Sequence, residues 1–179
     1  MSNNFYYLSH EDFYIDPNGM KGPVLCNTTE GICVVLFHAE QGRCTHCEEA
    51  IPEFKKLPRM FPSVIFGMCN LNKYPKVYAM SKETIVPFKY VPYIILYYNG
   101  RPFMRYEGEK TATEMAEFVQ EVMQRIHSTK TFVDKKGFKV ESEQPVYGGI
   151  PFNVVCDEDK GVCYFTTDEV YGKGGLRKK

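Results

Sequence analysis

The pattern of apolar and polar residues predicts a set of short, buried strands. Residues 32–39 (ICVVLFHA) and 64–69 (VIFGMC) are continuous apolar runs. Such runs, rich in β-branched residues, are typical of strands covered on both faces. Residues 5–8 form a shorter aromatic run, for which we predict an edge strand. Two further runs, 93–98 and 103–106, flank Asn99-Gly100, and Asn-Gly between apolar runs is a strong hairpin signal.

Three segments between and after these strands have helical spacing. Residues 48–60 and 76–82 are predicted helices, and residues 112–126 form an amphipathic one. Thr111 or Thr113 would cap the last helix. The order β–α–β–α–β–β–α predicts an α/β fold, because strands separated by helices pair in parallel while the hairpin adds an antiparallel edge. We therefore expect a central mixed sheet flanked by helices.

The last third of the chain differs from the rest in amino-acid composition. Residues 1–127 contain all the elements above, whereas residues 128–179 are Lys-Thr-rich at first and Gly-rich at 171–175. We predict a domain over 1–127 and a C-terminal extension over 128–179, with one β-hairpin and a flexible tail.

Composition and charge narrow the class of function. The chain has 22 Lys and Arg residues and 22 Asp and Glu residues, so its formal net charge is zero. It therefore has no overall positive charge that would attract nucleic acid or an anionic membrane. No apolar stretch approaches the roughly 20 residues that span a bilayer, and residues 1–10 lack the features of a signal peptide. We expect a cytoplasmic protein with no nucleic-acid or membrane partner. In a reducing compartment its seven cysteines would be thiols, ligands or catalysts.

The motif Cys44-Thr45-His46-Cys47 lies between a predicted buried strand and a predicted helix. A helix N-terminus carries partial positive charge and unpaired N–H groups, so Cys44 there would gain thiolate character and act as the nucleophile. Cys47, one turn further on, would resolve the mixed disulfide. His46 would stabilise the reduced form and so make the disulfide more oxidising.

Zinc binding is the alternative interpretation of the same motif, because zinc sites use the same Cys spacing. Cys44 and Cys47 could bind zinc with Cys156 and Cys163, or form half of a site shared between chains. Cys156 and Cys163 are seven positions apart and lack the spacing of a zinc knuckle. The strand before the motif and the helix after it favour the redox interpretation.

The remaining cysteines leave several pairings open. Cys26 and Cys33, like Cys156 and Cys163, flank six residues. If those residues form a six-residue hairpin loop, the cysteines lie opposite and could bridge; with a five-residue loop they lie on opposite faces. Buried free thiols are the default expectation, and Cys69, inside an apolar run, is expected in the core.

Over residues 5–127 the chain resembles the thioredoxin superfamily. The matching features are residues 34–39, the Cys-x-x-Cys motif, Pro52 five positions beyond it, and Val91-Pro92 opening an apolar strand that ends in Asn-Gly. The resemblance implies a thioredoxin fold in which Pro52 kinks the helix. It also implies that Pro92 is cis and faces Cys44, and that the Val91 backbone is free to pair with a substrate chain. From their position next to Pro92, Tyr90 and Tyr93 are expected to border a substrate groove.

The resemblance further implies a thiol–disulfide oxidoreductase of the protein disulfide reductase or isomerase type. Its substrates would be protein or peptide thiols and disulfides, and an unidentified electron donor or acceptor would reset it. No cofactor beyond the cysteine pair is needed. Extended thioredoxin-like proteins also occur in large DNA viruses, which residues 161–175 resemble, so a viral and even virion-associated protein is one expectation.

Some positions depart from the family pattern. Arg43 replaces the usual Trp, Thr45-His46 is similar to the motif of protein disulfide isomerase, and Leu36 replaces the buried acid that assists proton transfer. Arg43, Thr45 and His46 are therefore expected to tune the site. Proton removal from Cys47 would rely on water, His46 or His38, the last being more typical of a core or rim histidine. The missing Trp and Leu36 favour the alternative function, a thioredoxin-fold binding or structural module with little redox activity, whereas the intact cysteine pair and Pro92 favour the oxidoreductase.

Overall fold

A five-stranded mixed sheet forms the centre of the computed structural model, which describes residues 3–128, 153–157 and 162–166. The sheet order is β1-β5-β4-β7-β8. The strands are β1 (Phe5–Leu8), β2 (Phe13–Asp16), β3 (Val24–Asn27), β4 (Ile32–His38), β5 (Ile65–Asn70), β6 (Tyr90–Val91), β7 (Tyr93–Tyr98), β8 (Arg101–Tyr106), β9 (Asn153–Asp157) and β10 (Val162–Thr166). The helices are α1 (Thr45–Phe54), α2 (Leu57–Met60), α3 (Pro75–Lys82) and α4 (Ala112–Ser128).

Strand β4 is the central strand, as its continuous apolar sequence predicts. It pairs in parallel with β5 and antiparallel with β7. Alternate residues enter two cores on opposite faces: Phe37 packs in the cluster that contains Val77 of α3, and Leu36 packs in the cluster that contains Val119 of α4. Full burial of a side chain such as Leu36 contributes about 1.5–3 kcal/mol. Helices on both faces of a mixed sheet confirm the predicted α/β class.

The predicted hairpin joins β7 to β8 at Asn99 and Gly100. Both residues have positive φ, 49° and 80°, as a two-residue hairpin turn of type I′ requires. A Cβ on Gly100 would lie 2.4 Å from the carbonyl oxygen of Asn27, so glycine is needed for space as well as for conformation.

The predicted helix over 48–60 is wrong in one respect, because it is two helices. Helix α1 ends at Phe54 and α2 begins at Leu57. Pro58 has no N–H to donate to the Phe54 carbonyl, so a continuous helix would lose that bond and meet a steric clash. Pro58 lies instead in the first turn of α2, where the missing N–H costs little.

Helix α4 is capped by Thr111, one of the two predicted residues. The Glu114 N–H donates to Thr111 Oγ1 at 3.3 Å. The Ala112 N–H donates to Glu53 Oε2 at 2.9 Å, which ties this helix to α1. Within the described ranges, no helix is long and apolar enough to cross a membrane.

A hairpin that sequence reasoning missed pairs β2 with β3. This pairing separates Cys26 from Cys33, because the two cysteines lie in different sheets. Cys26 lies opposite Tyr14 in that hairpin, whereas Cys33 lies opposite Tyr97 in the central sheet. The alternative that these two cysteines face each other across a loop is therefore wrong. Cys26, Cys33 and Cys69 are buried free thiols, as the default expectation had it.

The C-terminal extension contains the predicted hairpin. Strands β9 and β10 pair antiparallel, and Cys156 lies opposite Cys163 in the register. Strand β10 also pairs antiparallel with β6, which gives a second, three-stranded sheet of order β6-β10-β9. The predicted tail around 171–175 lies outside the described residues, and the domain boundary at 127 stays a prediction.

Candidate active site

Cys44 and Cys47 form a disulfide at the start of α1, with their Cα atoms 5.2 Å apart. Cys44 is the N-cap residue, with extended backbone at φ −143° and ψ 102°. Its Sγ accepts a hydrogen bond from the Cys47 N–H at 3.1 Å. After reduction, this N–H and the positive end of the helix would both stabilise a thiolate on Cys44. The predicted placement of the motif is confirmed.

The loop before α1 is held in place by backbone and carboxylate hydrogen bonds. The Arg43 N–H donates to the Glu40 carbonyl at 3.1 Å. Gly42 has a φ of 85°, which favours glycine, and its N–H donates to Glu48 Oε1 at 2.6 Å. Glu48 lies in the first turn of α1, so its carboxylate links the loop to the helix that carries both cysteines.

The three residues predicted to tune the site lie in different environments. His46 is buried, and its Nδ1 lies 3.6 Å from Oε2 of the exposed Glu49. Thr45 is exposed. The exposed Arg43 places its Nε 3.4 Å from Glu40 Oε2. Only His46 is therefore buried beside the disulfide within the motif, which favours it over the other two as the group that changes the stability of the reduced state.

The second half of the site comes from the start of β7. The Val91–Pro92 peptide bond is cis, as the resemblance implied. Val91 and Tyr93 are buried in the same packed cluster as Cys44 and Cys47. The proline loop and the disulfide therefore share one face of the sheet.

One expectation about this loop is wrong, because the Val91 backbone is not free. In the register of β10 and β6, Val91 lies opposite Cys163, and Tyr90 opposite Tyr164. The resemblance covers residues 5–127 and therefore carries no information on a strand from the extension. An open strand edge is a ready template for another strand, and here a segment of the same chain occupies it.

Two other predicted positions lie deeper in the fold. His38 is buried, with Nδ1 2.8 Å from the Ala39 carbonyl oxygen, and burial lowers its pKa. That environment agrees with a core or rim histidine. Leu36, at the position of the family's acid, is fully buried and packs in the same cluster as Phe54 of α1.

Sequence reasoning named Tyr90 and Tyr93 beside Pro92, but it missed the cationic side chain of Arg105 that joins them. Arg105 Nη1 donates to the Tyr93 hydroxyl at 3.3 Å, and its guanidinium carbon lies 5.8 Å from the centre of the Tyr93 ring. Tyr90 packs on Tyr93 with the ring centres 5.2 Å apart. The Asn-Gly hairpin was the available signal, since its register places Arg105 opposite Ile95. Sequence alone did not indicate that the long side chain would reach Tyr93.

The metal alternative involves the same cysteines. Among the residues whose side chains are described, no group of three or more His, Cys, Asp and Glu is arranged to hold a metal ion. Cys156 and Cys163, the other two ligands of the zinc hypothesis, belong to strands described by their backbone pairing alone. The zinc hypothesis therefore stays as an alternative for experiment.

Comparisons with known proteins show the family to which the chain belongs. The thioredoxin family model matches residues 24–121, which is more than half of the chain. Protein 196R of Invertebrate iridescent virus 6 is 30% identical over 144 residues, covering 80% of this chain and 76% of the relative. Protein 020R of Invertebrate iridescent virus 3 is 27% identical over 177 residues, covering 96% and 98%. Both are viral proteins, in agreement with the viral resemblance seen in the sequence.

Among solved structures, human ERp44 (form II) is similar with a TM-score of 0.49 and 16% identity. The match covers 68% of this chain and 30% of that chain, so the described fold spans less than a third of ERp44. Thioredoxin of Fasciola hepatica has a TM-score of 0.41 and 19% identity, over 52% of this chain and 83% of that one.

The mixed sheet, the cis-proline loop and the disulfide at a helix N-terminus define a thioredoxin fold with a site of the thiol–disulfide oxidoreductase type. The chain belongs to the thioredoxin family.

Proposed function

We propose that this protein catalyses thiol–disulfide exchange on protein or peptide disulfides. The observation that carries the proposal is the position of Cys44, which caps α1, accepts the Cys47 N–H and is bonded to Cys47. Cys44 is the nucleophile and Cys47 the resolving thiol. The cysteine pair supplies the redox chemistry, so the reaction needs no further cofactor.

The reduced enzyme acts in two steps. The Cys44 thiolate attacks one sulfur of the substrate disulfide; that S–S bond breaks, one substrate thiolate leaves, and a mixed disulfide forms. Cys47 then loses its proton and attacks Cys44 Sγ, which restores the Cys44–Cys47 disulfide and releases the second substrate thiolate. The substrate gains two electrons, and the reverse sequence oxidises a dithiol. A protein dithiol or disulfide of unknown identity resets the pair, in the cytoplasm or in the virion.

Proton transfer at Cys47 differs from the usual family arrangement, because Leu36 cannot accept a proton. We assign this step to water, to His46 or to His38. His46 stabilises the Cys44 thiolate as a cation or an N–H donor, and Oε2 of the Glu49 carboxylate lies 3.6 Å from its Nδ1. Arg43 and Thr45 have weaker tuning roles because both are exposed.

Substrate recognition is assigned to the proline loop. Because β10 pairs with Val91, a substrate segment in extended conformation would have to replace β10 there, and it would bind the exposed strand edge through main-chain hydrogen bonds. Pro92 and Tyr93 would border it, with the Arg105 guanidinium on the Tyr93 ring.

A binding or structural module is the second candidate function. It is favoured by the burial of Cys44, which is only 1% exposed, and by the lack of a carboxylate at Leu36. In that case Cys44–Cys47 would stabilise the start of α1, and the extension would serve assembly or partner docking.

Insulin reduction and oxidative refolding of a reduced protein separate the two candidates. Cys44→Ser should lower both rates on the order of 100-fold or more, because the attacking thiolate is lost. Cys33→Ala is the matched control, since this thiol lies in β4 and is fully buried. Equal rates for wild type and Cys44→Ser would reject the enzymatic function in favour of the module.

A further inference from the structure

The C-terminal hairpin brings a second pair of cysteines to the edge of the candidate site. Cys163 of β10 lies opposite Cys156 of β9 on one side and opposite Val91 of β6 on the other. Val91 is the residue whose peptide bond to Pro92 is cis. The backbone register alone therefore places Cys163 at the position where a substrate chain would pair with the proline loop.

The contacts of β10 with α1 also place this strand at the candidate site. Strand β10 lies against α1 as well as along β6. Cys44, which caps α1, and Val91 of β6 are both almost completely buried. Strand β10 therefore lies along the strand that holds Val91 and against the helix that Cys44 caps.

The spacing of Cys156 and Cys163 suits a reversible disulfide. Residues directly opposite in an antiparallel pair have Cα atoms about 4.5–5.5 Å apart and share one face of the ladder. Disulfides need a Cα separation of about 4.4–6.8 Å. The pair can therefore exist as a dithiol or a disulfide with the hairpin register unchanged.

We propose that the β9–β10 hairpin is an internal substrate of the active site, in which Cys156 and Cys163 form a second redox pair that exchanges with Cys44 and Cys47. The proposal rests on the proposed thiol–disulfide exchange and names its first substrate. Strand β10 has two roles in this proposal. It pairs with Val91, where a substrate would pair, and it carries Cys163, the thiol that reacts there.

The exchange balances without an added oxidant. The Cys44 thiolate attacks Cys163 Sγ of the Cys156–Cys163 disulfide; that bond breaks and Cys156 leaves as a thiolate. Cys47 loses its proton and attacks Cys44 Sγ, forming Cys44–Cys47 and releasing Cys163 as a thiolate. Two electrons have moved from one pair to the other, and both released thiolates can take up protons. The reverse sequence transfers the disulfide back to the hairpin.

The other cysteines are poor competitors for this exchange. Cys26, Cys33 and Cys69 are fully buried in strands. Burial raises the pKa of Cys33 and of Cys69 to about 12, so neither forms appreciable thiolate near neutral pH. Of these three, Cys69 serves as the matched control in the experiment.

The test traps the bond between the two pairs. In the full chain carrying Cys47→Ser and Cys156→Ser, added oxidised glutathione forms a mixed disulfide on Cys44. The Cys163 thiolate then attacks Cys44 Sγ, forms a Cys44–Cys163 bond and releases glutathione. Acid quenching, alkylation and peptide mass mapping should find this bond as the major species. Adding Cys163→Ser should leave Cys44 glutathionylated, whereas adding Cys69→Ala should change nothing.

A second measurement uses the natural cysteines, which guards against a folding defect in the variants. Fully reduced wild type receives one equivalent of oxidised glutathione, which supplies one disulfide per chain, and that disulfide should be distributed between Cys44–Cys47 and Cys156–Cys163 across the sample. With Cys44→Ser, the Cys156–Cys163 disulfide should form at least about 10-fold more slowly. In that variant glutathione must react directly with the hairpin cysteines, without transfer through the Cys44 thiolate that is held beside them.

The outcomes separate this proposal from the proposed function. Insulin reduction by wild type without any Cys44–Cys163 bond or relay would overturn the internal substrate and leave the function intact. A Cys44–Cys163 bond without insulin reduction would support the internal substrate and reject the external one. Failure of both would overturn both. One equivalent of zinc held by the four cysteines in purified reduced protein would also overturn the proposal.

Discussion

The start of α1 and the interior of the sheet place the same side chain, cysteine, in opposite environments. Cys44 caps a helix and accepts an N–H hydrogen bond from Cys47 at 3.1 Å. Cys33 of β4 and Cys69 of β5 lie in fully paired strands, and burial raises the pKa of each to about 12. All three are almost completely buried, so exposure does not distinguish them.

The availability of backbone N–H groups explains the difference. In the first turn of a helix the N–H groups have no intrahelical partner and can stabilise an anion. In a central strand, the ladder to both neighbours uses these groups. Side-chain hydrogen bonds with Thr29 and Asn27 lower the pKa of Cys33, but the effect of burial is larger. The position of a cysteine in the fold therefore determines whether it reacts or packs.

The largest expected effect is a difference in alkylation rate between the two regions. In the reduced protein at pH 8, iodoacetamide should modify Cys44 on the order of 10³-fold faster than Cys33 or Cys69, since the thiolate is the reactive form. Mass spectrometry of peptides taken at increasing times measures all three rates in one sample. Comparable alkylation rates for Cys33 and Cys44 would contradict the claim that the helix N-terminus makes Cys44 more reactive than a cysteine inside the sheet.

A smaller effect is expected from His46. His46→Ala should lower the reduction potential of the Cys44–Cys47 pair by about 30 mV, a tenfold change in the equilibrium constant, because the thiolate loses a stabilising group. Glu49→Gln is the matched control and should change the potential less, since Glu49 is 78% exposed and exposed pairs contribute little. A higher potential in His46→Ala would contradict the assigned role.

The sheet cysteines should affect stability without affecting activity. Cys33→Ala leaves a small cavity in β4 and should lower the free energy of unfolding by about 1–2 kcal/mol, measured by urea denaturation. Insulin reduction by the folded variant should equal that of wild type. Loss of activity at unchanged stability would show that Cys33 has a chemical role.

The smallest expected effect concerns the pH dependence of stability. Burial lowers the pKa of His38 from 6.5, and its bond with the Ala39 carbonyl offsets this in part. Below pH 6.5 the unfolded chain binds a proton that the folded state resists, so stability should fall as the pH drops towards the folded pKa. His38→Gln should flatten this dependence when the free energy of unfolding is measured by urea denaturation at several pH values.

The central part of the fold could be predicted from sequence because its signals are local. The apolar run of β4, the Asn99-Gly100 turn and the Cys-x-x-Cys motif each lie within a few residues. The pairing of β2 with β3 and of β6 with β10 could not be predicted. Strand β6 has two residues and its partner lies about 70 positions further on, so no periodic pattern marks either the strand or the pairing.

The site shows the same division. Cys44, Cys47 and Pro92 were found from the motif and the family resemblance, and the cis bond is confirmed. The contact between Arg105 and Tyr93 and the covered edge at Val91 depend on how long side chains and distant strands meet, which tertiary structure alone determines.

The most direct test of the central claim is a redox titration of Cys44 and Cys47 in glutathione buffers, read by mass mapping of their alkylated peptide. We predict a reversible two-electron transition with a reduction potential above about −300 mV, in the range of the reduction potentials of known thiol–disulfide oxidoreductases. A pair that stays oxidised throughout that range would be a structural disulfide, and the claim that a helix N-terminus makes Cys44 a redox nucleophile would be wrong.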